Sequence, residues 1–380
     1  MNILIAPDSF KGSATAQEVA KAMKKGIIAS SLKANIDIIP MGDGGEGTAK
    51  SLIDALGGDY YEVVVKDPLG RPIIGEYGII NNNNTAVIEL SSASGLDKLS
   101  NKELNPYLTS TYGTGQLIID ALNKGVRKFI ICLGGSATND AGMGLLKALG
   151  FKFFDKNKKE LDHGGRELLK LDSINDTHVH SAIYDSAFQV ACDVNNPLIG
   201  NNGASAVFGP QKGANKEMVK VLDNGLKRFG EVVQNFKGVN INEIAGSGAA
   251  GGTAGGLLAF LNAELKSGIK IVMESVNLEK TLKNKNIDLL LTGEGQIDGQ
   301  TASGKVVFGV ANKAKMYNIP TIAIVGTIGN DVDILYKYGL TSVFSIINKP
   351  MSLEKAIINS LKLIELQTEQ IFRLLYHYLK

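Results

Sequence analysis

The sequence predicts an α/β protein with two α/β domains and mostly parallel sheets. A length of 380 residues gives room for about two domains of ordinary size. Short apolar runs alternate with stretches of helical periodicity, and β-α-β units stand near both ends of the chain. No linker or repeat separates two halves, so we expect one domain to interrupt the other. The expected division is residues 1–80 plus 285–380 for a discontinuous domain, and 81–284 for an inserted one.

The first part of the chain reads as strand, helix, strand, helix and hairpin. Thr15 and Glu18 have the spacing of a capping box before a helical pattern, and Gly57 follows the second helix as a left-handed cap requires. The predicted elements are a strand at 2–7, a helix from Thr15, a strand at 35–40, a helix at 47–56, and hairpin strands at 77–80 and 85–90.

The remaining two thirds repeat the strand, loop and helix order. The predicted elements are a helix at 116–124, a strand at 128–133, a helix ending at Gly150, strands at 188–192 and 287–294, a helix at 306–315, a strand at 321–326 and a last helix at 352–375. The last helix is amphipathic, and we expect its apolar face to pack on the protein's own core.

Composition narrows the classes of partner. The formal net charge is +2, and Lys and Arg are scattered among acids, which argues against nucleic acid. No apolar stretch approaches the ~20 residues of a spanning helix, and the N-terminal apolar run is too short for a signal peptide, so a cytoplasmic protein without membrane contact is expected. Cys132 and Cys192 lie in strand-like runs and are expected to be buried, reduced side chains.

Acidic residues follow the carboxyl ends of several predicted strands, where open α/β sheets bind ligands. They are Asp8, Asp43, Asp140, Asp193, Glu294 and Asp298. Most share their loop with glycines, whose amides can bind an anion, whereas carboxylates hold the divalent cation that accompanies a polyphosphate. The pattern therefore indicates a magnesium–polyphosphate site, although helix capping remains the alternative for any single acid.

Two glycine-rich loops could approach such a ligand. In the stretch 133–144, Gly134 and Gly135 allow a tight turn, and Ser136 and Thr138 supply hydroxyl groups before the positive end of a helix. The second loop, residues 246–256, either serves another part of the same ligand or permits close helix packing.

Three lysines stand beside glycines and could contact a phosphate, or could be ordinary surface lysines. They are Lys11, Lys212 and Lys305. Residues 299–306 nearly match a P-loop, but Val306 replaces the hydroxyl residue that would bind magnesium, so we interpret the match as chance.

Eight motifs, in order and with ordinary spacing, together resemble the bacterial type 1 glycerate kinase family from Asn2 to about Ser345. They are APDSFKGSATAQEVA, GDGGEGT, SSASGL, TSTYGTGQLI, GGSATNDAGMG, ACDVNNPLIGNNGASAVFGPQKGA, GAAGGTAGGLLAFLNAELKSGI and TGEGQIDGQTASGKVVFGVA. The departures are minor: Met41 and Gly42 precede the acidic loop where other small or apolar residues are common, and Ala141 stands where glycine is usual.

The resemblance implies ATP-dependent phosphorylation of D-glycerate to 2-phosphoglycerate. It also implies two α/β domains, one of them formed by both ends of the chain, with the active site in the cleft between them. Phosphoryl transfer requires groups that position the anions, neutralise charge and accept the alcohol proton.

On this basis each candidate residue has an expected role. Glu294 and Asp298 are expected to hold Mg²⁺, and Asp193, in preference to Asp43, to accept the glycerate proton. The phosphate contacts are expected from Lys11, Gly134, Gly135, Ser136, Thr138, Asn139 and Lys305, and the substrate contacts from Asp8, Ser9, Asn195, Asn196, Lys212 and Arg71. Arg71 and Lys212 are the candidates for the glycerate carboxylate, but Arg71 is equally interpretable as a turn residue.

Other functions remain open. A kinase of another small hydroxy acid would share the phosphate chemistry, and a non-catalytic nucleotide-binding regulator would keep the glycines. A dinucleotide-dependent oxidoreductase is disfavoured because the first β-α turn carries no GxGxxG motif. His163, His178 and His180 are interpreted as loop residues, and the sequence predicts no oligomeric state.

Overall fold

The computed structural model describes residues 1–42, 47–80, 84–299, 301 and 305–378, and for Tyr378 the backbone alone. These residues form two compact units. One comprises Met1–Asp43, Lys50–Gly57 and Ile269–Lys380, and the other Gly44–Ala49 and Gly58–Gly268.

The strands are β1 (Asn2–Ile5), β2 (Asn35–Ile38), β3 (Gly58–Lys66), β4 (Pro72–Ile80), β5 (Thr85–Glu89), β6 (Lys128–Cys132), β7 (Lys152–Phe154), β8 (Ser173–Asn175), β9 (Ala187–Ala191), β10 (Glu264–Lys266), β11 (Leu289–Thr292), β12 (Gln296–Ile297), β13 (Thr321–Val325), β14 (Thr327–Ile328) and β15 (Leu340–Ser345). The α-helices are α1 (Ala16–Ala29), α2 (Thr48–Leu56), α3 (Ser91–Ser94), α4 (Tyr112–Asn123), α5 (Met143–Ala148), α6 (Ala204–Phe208), α7 (Lys216–Lys237), α8 (Thr253–Leu261), α9 (Gly268–Ser275), α10 (Leu278–Asn284), α11 (Val306–Lys315), α12 (Leu353–Ile358) and α13 (Ser360–Tyr378).

The first unit contains a parallel sheet with the strand order β15-β13-β11-β1-β2. The interior strand β1 is buried because its run of apolar side chains is covered on both faces, as is usual in parallel sheets. Helix α1 begins as predicted, with Thr15 and Glu18 in a reciprocal capping box.

The second unit contains a mixed sheet with the order β10-β9-β6-β5-β4-β3. Strands β5, β6, β9 and β10 are parallel, whereas β3 and β4 are antiparallel. The predicted α/β class with mostly parallel sheets is confirmed. Because β3 and β4 pair into this sheet, the chain passes between the units at residues 57–58 instead of 80–81.

The end of the chain forms two helices where the sequence predicted one. Asn359 separates α12 from α13, and its side-chain amide donates to the carbonyl of Lys355 at 2.8 Å, which closes the first helix. Helix α13 packs on α1 so closely that a Cβ at Gly26 would lie 2.4 Å from the carbonyl oxygen of Glu365. The buried Phe372 belongs to the core of this unit, so packing on the protein's own core is confirmed.

Helix α7 and strand β3 were not predicted from the sequence. The signals for α7 are ordinary: the Asn215 side chain accepts from two amides at its start, and Gly238 with φ +73° ends it. In the part of the chain described here, no helix is long and apolar enough to cross a membrane.

Candidate active site

The parallel strands of the second unit end in register at one edge of their sheet. Glu89 pairs with Cys132, Cys132 with Ala191, and Ala191 with Lys266. The loops that follow β6 and β9 therefore leave the sheet side by side, at the edge where open α/β sheets bind ligands.

The loop after β6 presents a partly exposed glycine, Gly134, and an exposed one, Gly135, and then turns inward. Gly135 has φ +71°, a conformation that glycine adopts without strain. The carbonyl of Gly135 accepts from the amide of Leu96 at 2.8 Å, and the amide of Ala137 donates to the carbonyl of Ser94 at 3.0 Å. These two bonds attach the loop to the segment that follows α3.

Ser136, Thr138 and Asn139, all predicted phosphate contacts, are buried. The Asn139 amide donates to the hydroxyl of Ser205 at 2.9 Å. Within the described residues, Thr138 Oγ1 and Asn139 Oδ1 have no hydrogen-bond partner. Of the predicted phosphate loop, Gly134 and Gly135 are therefore the solvent-accessible part, and the following side chains lie beneath it.

Asp140 is fully buried and organises the loop. Its carboxylate accepts from the amide and hydroxyl of Thr111, at 2.9 Å each, and from the amides of Gly142 and Gly144 at 3.2 and 3.1 Å. Burial raises the pKa of Asp140, and these bonds oppose the rise. The carboxylate of this strand-end acid therefore accepts four hydrogen bonds from the protein itself.

Lys212 lies in the short turn Pro210–Lys212, and its side chain is 1% exposed. Its Nζ atom donates to Ser136 Oγ at 2.8 Å and to the carbonyl of Thr138 at 2.7 Å. Burial lowers the pKa of Lys212 to about 7, although the charge of Asp140 opposes the shift.

Asp193 is exposed and lies two residues after the end of β9, at the strand end where it was predicted. Its Oδ1 atom accepts from the amide of Gly268 at 3.0 Å, at the start of α9. The neighbouring Asn195 is exposed, and the Asn196 amide donates to the carbonyl of Asn202 at 2.8 Å. The structure thus brings these three candidates together at one strand end.

Arg71 lies in the turn between β3 and β4. Its guanidinium pairs with Asp67 and Glu103, at 2.5 Å each, and the Asp67 hydrogen bond is the main cause that raises the pKa of Arg71. Both partners are carboxylates of the protein itself, which agrees with its interpretation as a turn residue.

The second glycine-rich loop packs against the first. A Cβ at Gly251 would lie 2.1 Å from the carbonyl of Thr138, and one at Gly256 would lie 2.2 Å from that of Ala141. These glycines therefore permit close backbone packing, which was one of the two interpretations left open by the sequence.

In the first unit, Asp8 and Ser9 follow β1. The amide of Asp8 donates to the carbonyl of Gly293 at 2.8 Å, and the Asp8 side chain accepts from the amide of Ser9 at 2.7 Å. Lys11 is exposed in the next turn. The loop after β1 thus lies beside the loop after β11.

Glu294 and Asp298 lie in the loop after β11. Glu294 is 5% exposed and accepts from the Thr301 hydroxyl at 2.8 Å, and that hydroxyl accepts from the amide of Asp298 at 3.3 Å. The Gln296 amide donates to Asp298 Oδ2 at 3.2 Å. Lys305 is partly buried and occupies the N-cap position of α11, where its side chain makes no capping hydrogen bond. Among residues 1–42, 47–80, 84–299, 301 and 305–378, no three His, Cys, Asp or Glu residues form a metal-ligand cluster.

The other residues that the sequence analysis singled out either lie outside the described residues or contact the protein itself. Asp43 lies outside the described residues, as do four residues of the near-match to a P-loop, residue 300 and residues 302–304. His163 bonds the Ser110 hydroxyl at 3.2 Å, and His180 contacts Asn123 at the same distance. The two cysteines form no disulfide, and burial raises the pKa of Cys192.

Sequence reasoning missed Glu89, an acid at the carboxyl end of β5. Its Oε1 atom accepts from the amide of Ala49, another residue of the second unit, at 2.9 Å. The signal was present, because Glu89 is the first polar residue after the apolar run of this strand.

The amino-acid sequence of the chain matches a known family of enzymes. A family model described as the glycerate kinase family matches residues 3–376. The chain belongs to the glycerate kinase family. Membership makes it a kinase, a transferase with ATP as a substrate.

Similar proteins align with this chain over most of its length. The chain is 46% identical over 349 residues to a glycerate kinase of Haemophilus influenzae, covering 92% of each chain. It is 44% identical over 356 residues to the glycerate 2-kinase of Escherichia coli, covering 94% of this chain and 93% of that protein. A crystal structure assigned as glycerate kinase 2 from Salmonella typhimurium LT2 is 41% identical, with a TM-score of 0.91 over 100% of this chain and 99% of that one.

Proposed function

We propose that this chain transfers the γ-phosphoryl group of ATP to the 2-hydroxyl of D-glycerate and forms 2-phosphoglycerate. The observation that carries the proposal is the 44% identity, over 94% of the chain, to a protein named glycerate 2-kinase. The carboxylates and glycine loops at the strand ends supply the groups that this reaction needs.

The loop after β6 is proposed to bind phosphate. Gly134 and Gly135 are its accessible residues, and the positive φ of Gly135 turns the chain sharply there. Backbone amides in such turns form anion-binding concavities, which approach a phosphate without an intervening side chain. Lys11 and Lys305 of the first unit are proposed as further phosphate contacts, since each is a flexible point charge.

Asp193 is proposed as the general base. Its carboxylate is exposed, and one oxygen is held by the amide of Gly268 at 3.0 Å, which fixes the orientation of the group. In the reaction a carboxylate oxygen of Asp193 accepts the proton of the glycerate 2-hydroxyl. The hydroxyl oxygen then bonds to the γ-phosphorus, while the bond from that phosphorus to the β–γ bridging oxygen breaks and ADP leaves.

The glycerate contacts are proposed from residues in strand-end loops of each unit. Asn195 is exposed two positions after Asp193, and its amide can both donate to and accept from hydroxyl groups. Asn196, Asp8 and Ser9 remain proposed contacts, although each already shares a hydrogen bond with the protein.

Glu294 and Asp298 are proposed to hold Mg²⁺. Both are carboxylates of one loop, and magnesium in kinases is usually held by one or two carboxylates together with phosphate oxygens and water. The short ligand set therefore fits this ion, even though Glu294 also accepts from Thr301. When bound, the ion would neutralise charge on the β- and γ-phosphates.

A coupled assay tests the function. Purified protein, ATP, Mg²⁺ and D-glycerate are supplied, and the product is read through enolase and pyruvate kinase, with and without phosphoglycerate mutase. Signal without mutase supports the 2-kinase, whereas signal only with mutase means transfer to the 3-hydroxyl. If D-glycerate gives no turnover while another small hydroxy acid does, the proposed substrate is wrong.

A further inference from the structure

The buried lysine Lys212 has no part in the reaction proposed above, although it touches the proposed phosphate loop. Two features fix its backbone. Pro210 begins the turn, and Gly213 has φ +93°, with a Cβ there lying 2.3 Å from the carbonyl of Leu104. The turn thus directs the lysine side chain into the unit, and its position does not depend on a ligand.

The lysine bonds to the loop on both sides of Ala137. Its Nζ atom donates to the Ser136 hydroxyl and to the Thr138 carbonyl, at 2.8 and 2.7 Å. Ala137 itself is held by the Ser94 carbonyl and by the Thr109 hydroxyl, at 3.0 and 2.8 Å. The inner part of the loop is therefore held by Ser94, Thr109 and Lys212, which lie in three separate segments of the chain. Lys212 supplies the hydrogen bonds on both sides of Ala137.

The burial of this amine is costly. Its side chain is 1% exposed, and no carboxylate among the described residues forms an ion pair with it. Leucine or methionine would fill such a place at a lower desolvation cost. The hydroxyl and carbonyl acceptors of the loop thus explain the choice of lysine better than core packing does.

We propose that Lys212 is a positioning residue, which holds Ser136 and Thr138 so that the preceding glycine amides are arranged for the phosphates of ATP. The inference rests on the proposed phosphate role of this loop. Lys212 acts through the loop and does not touch the substrate, which differs from the carboxylate contact expected from the sequence.

The test compares Lys212→Met with Lys216→Met, an exposed lysine four residues away. Initial rates are measured against ATP and D-glycerate separately, and far-UV circular dichroism confirms folding. We expect Lys212→Met to raise KM for ATP about tenfold, because misplacing a binding loop weakens charge-assisted hydrogen bonds, and to leave KM for glycerate within about twofold. Lys216→Met should match the wild type.

Other outcomes would overturn the positioning role. A purely structural lysine would reduce the amount of active enzyme and lower kcat with both KM values unchanged. A rise in KM for glycerate alone would assign Lys212 to the substrate carboxylate. If the wild type does not turn over glycerate, the affinity of both proteins for ATP, measured by calorimetry, tests the loop independently of the proposed reaction.

If Lys212→Met does not fold, the wild type itself supplies the second measurement. Hydrogen exchange followed by mass spectrometry is recorded with and without ATP. We expect slower exchange in residues 134–140 and also in 209–214, because the anchored loop transmits its ordering to the lysine turn. Protection confined to 134–140, or absent from both segments, would overturn the proposal.

Discussion

The carboxylate of Asp140 bonds both the amide and the hydroxyl of Thr111, at 2.9 Å each. The bond pair joins the loop after β6 to the start of α4. Asp140 thus stabilises the fold, although its position after a strand suggested from the sequence that it could bind a ligand.

Asp140→Ala is expected to lower the free energy of unfolding by about 3 kcal/mol or more, since it leaves buried donors of Thr111, Gly142 and Gly144 without their acceptor. Urea denaturation measures the effect. Asp59→Ala removes an exposed acid of β3 and should change stability by less than about 0.5 kcal/mol. Equal midpoints for the two variants would contradict the assignment.

Ala141 has φ +52° and is fully buried. Ala141→Gly removes the backbone strain of an alanine in the left-handed region, which costs about 1–2 kcal/mol. It also loses a buried methyl and adds chain entropy, so the net change in unfolding free energy should lie within about 1 kcal/mol.

The matched control is Ala121→Gly, which changes an equally buried alanine inside α4. No strain is relieved there, so we expect it to be more destabilising than Ala141→Gly by at least about 1 kcal/mol. Thermal unfolding of both variants decides the matter, and equal losses would mean that Ala141 is not strained.

Gly26→Ala tests the packing of the chain end. The added Cβ would lie 2.4 Å from the Glu365 carbonyl and 2.6 Å from Thr368 Cβ, so α1 and α13 must move apart. We expect a loss of about 1–3 kcal/mol in a urea titration. Lys25→Ala, at an exposed position of the same helix, should be nearly neutral, and a neutral Gly26→Ala would refute the close contact.

Asp193→Asn tests the general base. Its Oδ1 atom can still accept from the Gly268 amide, so the fold is expected to persist, whereas kcat should fall about 10²–10⁴-fold. Asp185→Asn, an exposed acid of the same unit, serves as the control. Turnover of Asp193→Asn near that of the wild type would place the base elsewhere.

The sequence predicted several of the strands, since apolar runs such as that of β1 and the hairpin of β4 and β5 are local signals, but it missed β3. It placed Asp193 correctly after β9 for the same reason. It could not show which polar groups find hydrogen-bond partners within the protein. Asp140 accepts from Thr111, which is 29 residues away in the chain, and Arg71 donates to Glu103, which is 32 residues away. Burial of Lys212 likewise depends on tertiary packing, which periodicity does not report.

The low pKa of Lys212 gives stability a defined dependence on pH. Below pH 7 the folded protein carries the full cost of burying the ammonium group, whose pKa falls from 10.5 to about 7. Between pH 7 and 10.5 the unfolded chain binds the proton more strongly than the folded one, so this group makes stability rise with pH. The free energy of unfolding of the wild type, minus that of Lys212→Met, should thus increase by up to about 1.4 kcal/mol per pH unit from pH 7 to 9.

Urea titrations at several pH values measure this difference, in which the other titrating groups largely cancel. A difference that stays constant from pH 7 to 9 would show that the folded protein does not lower the pKa of Lys212 into this range.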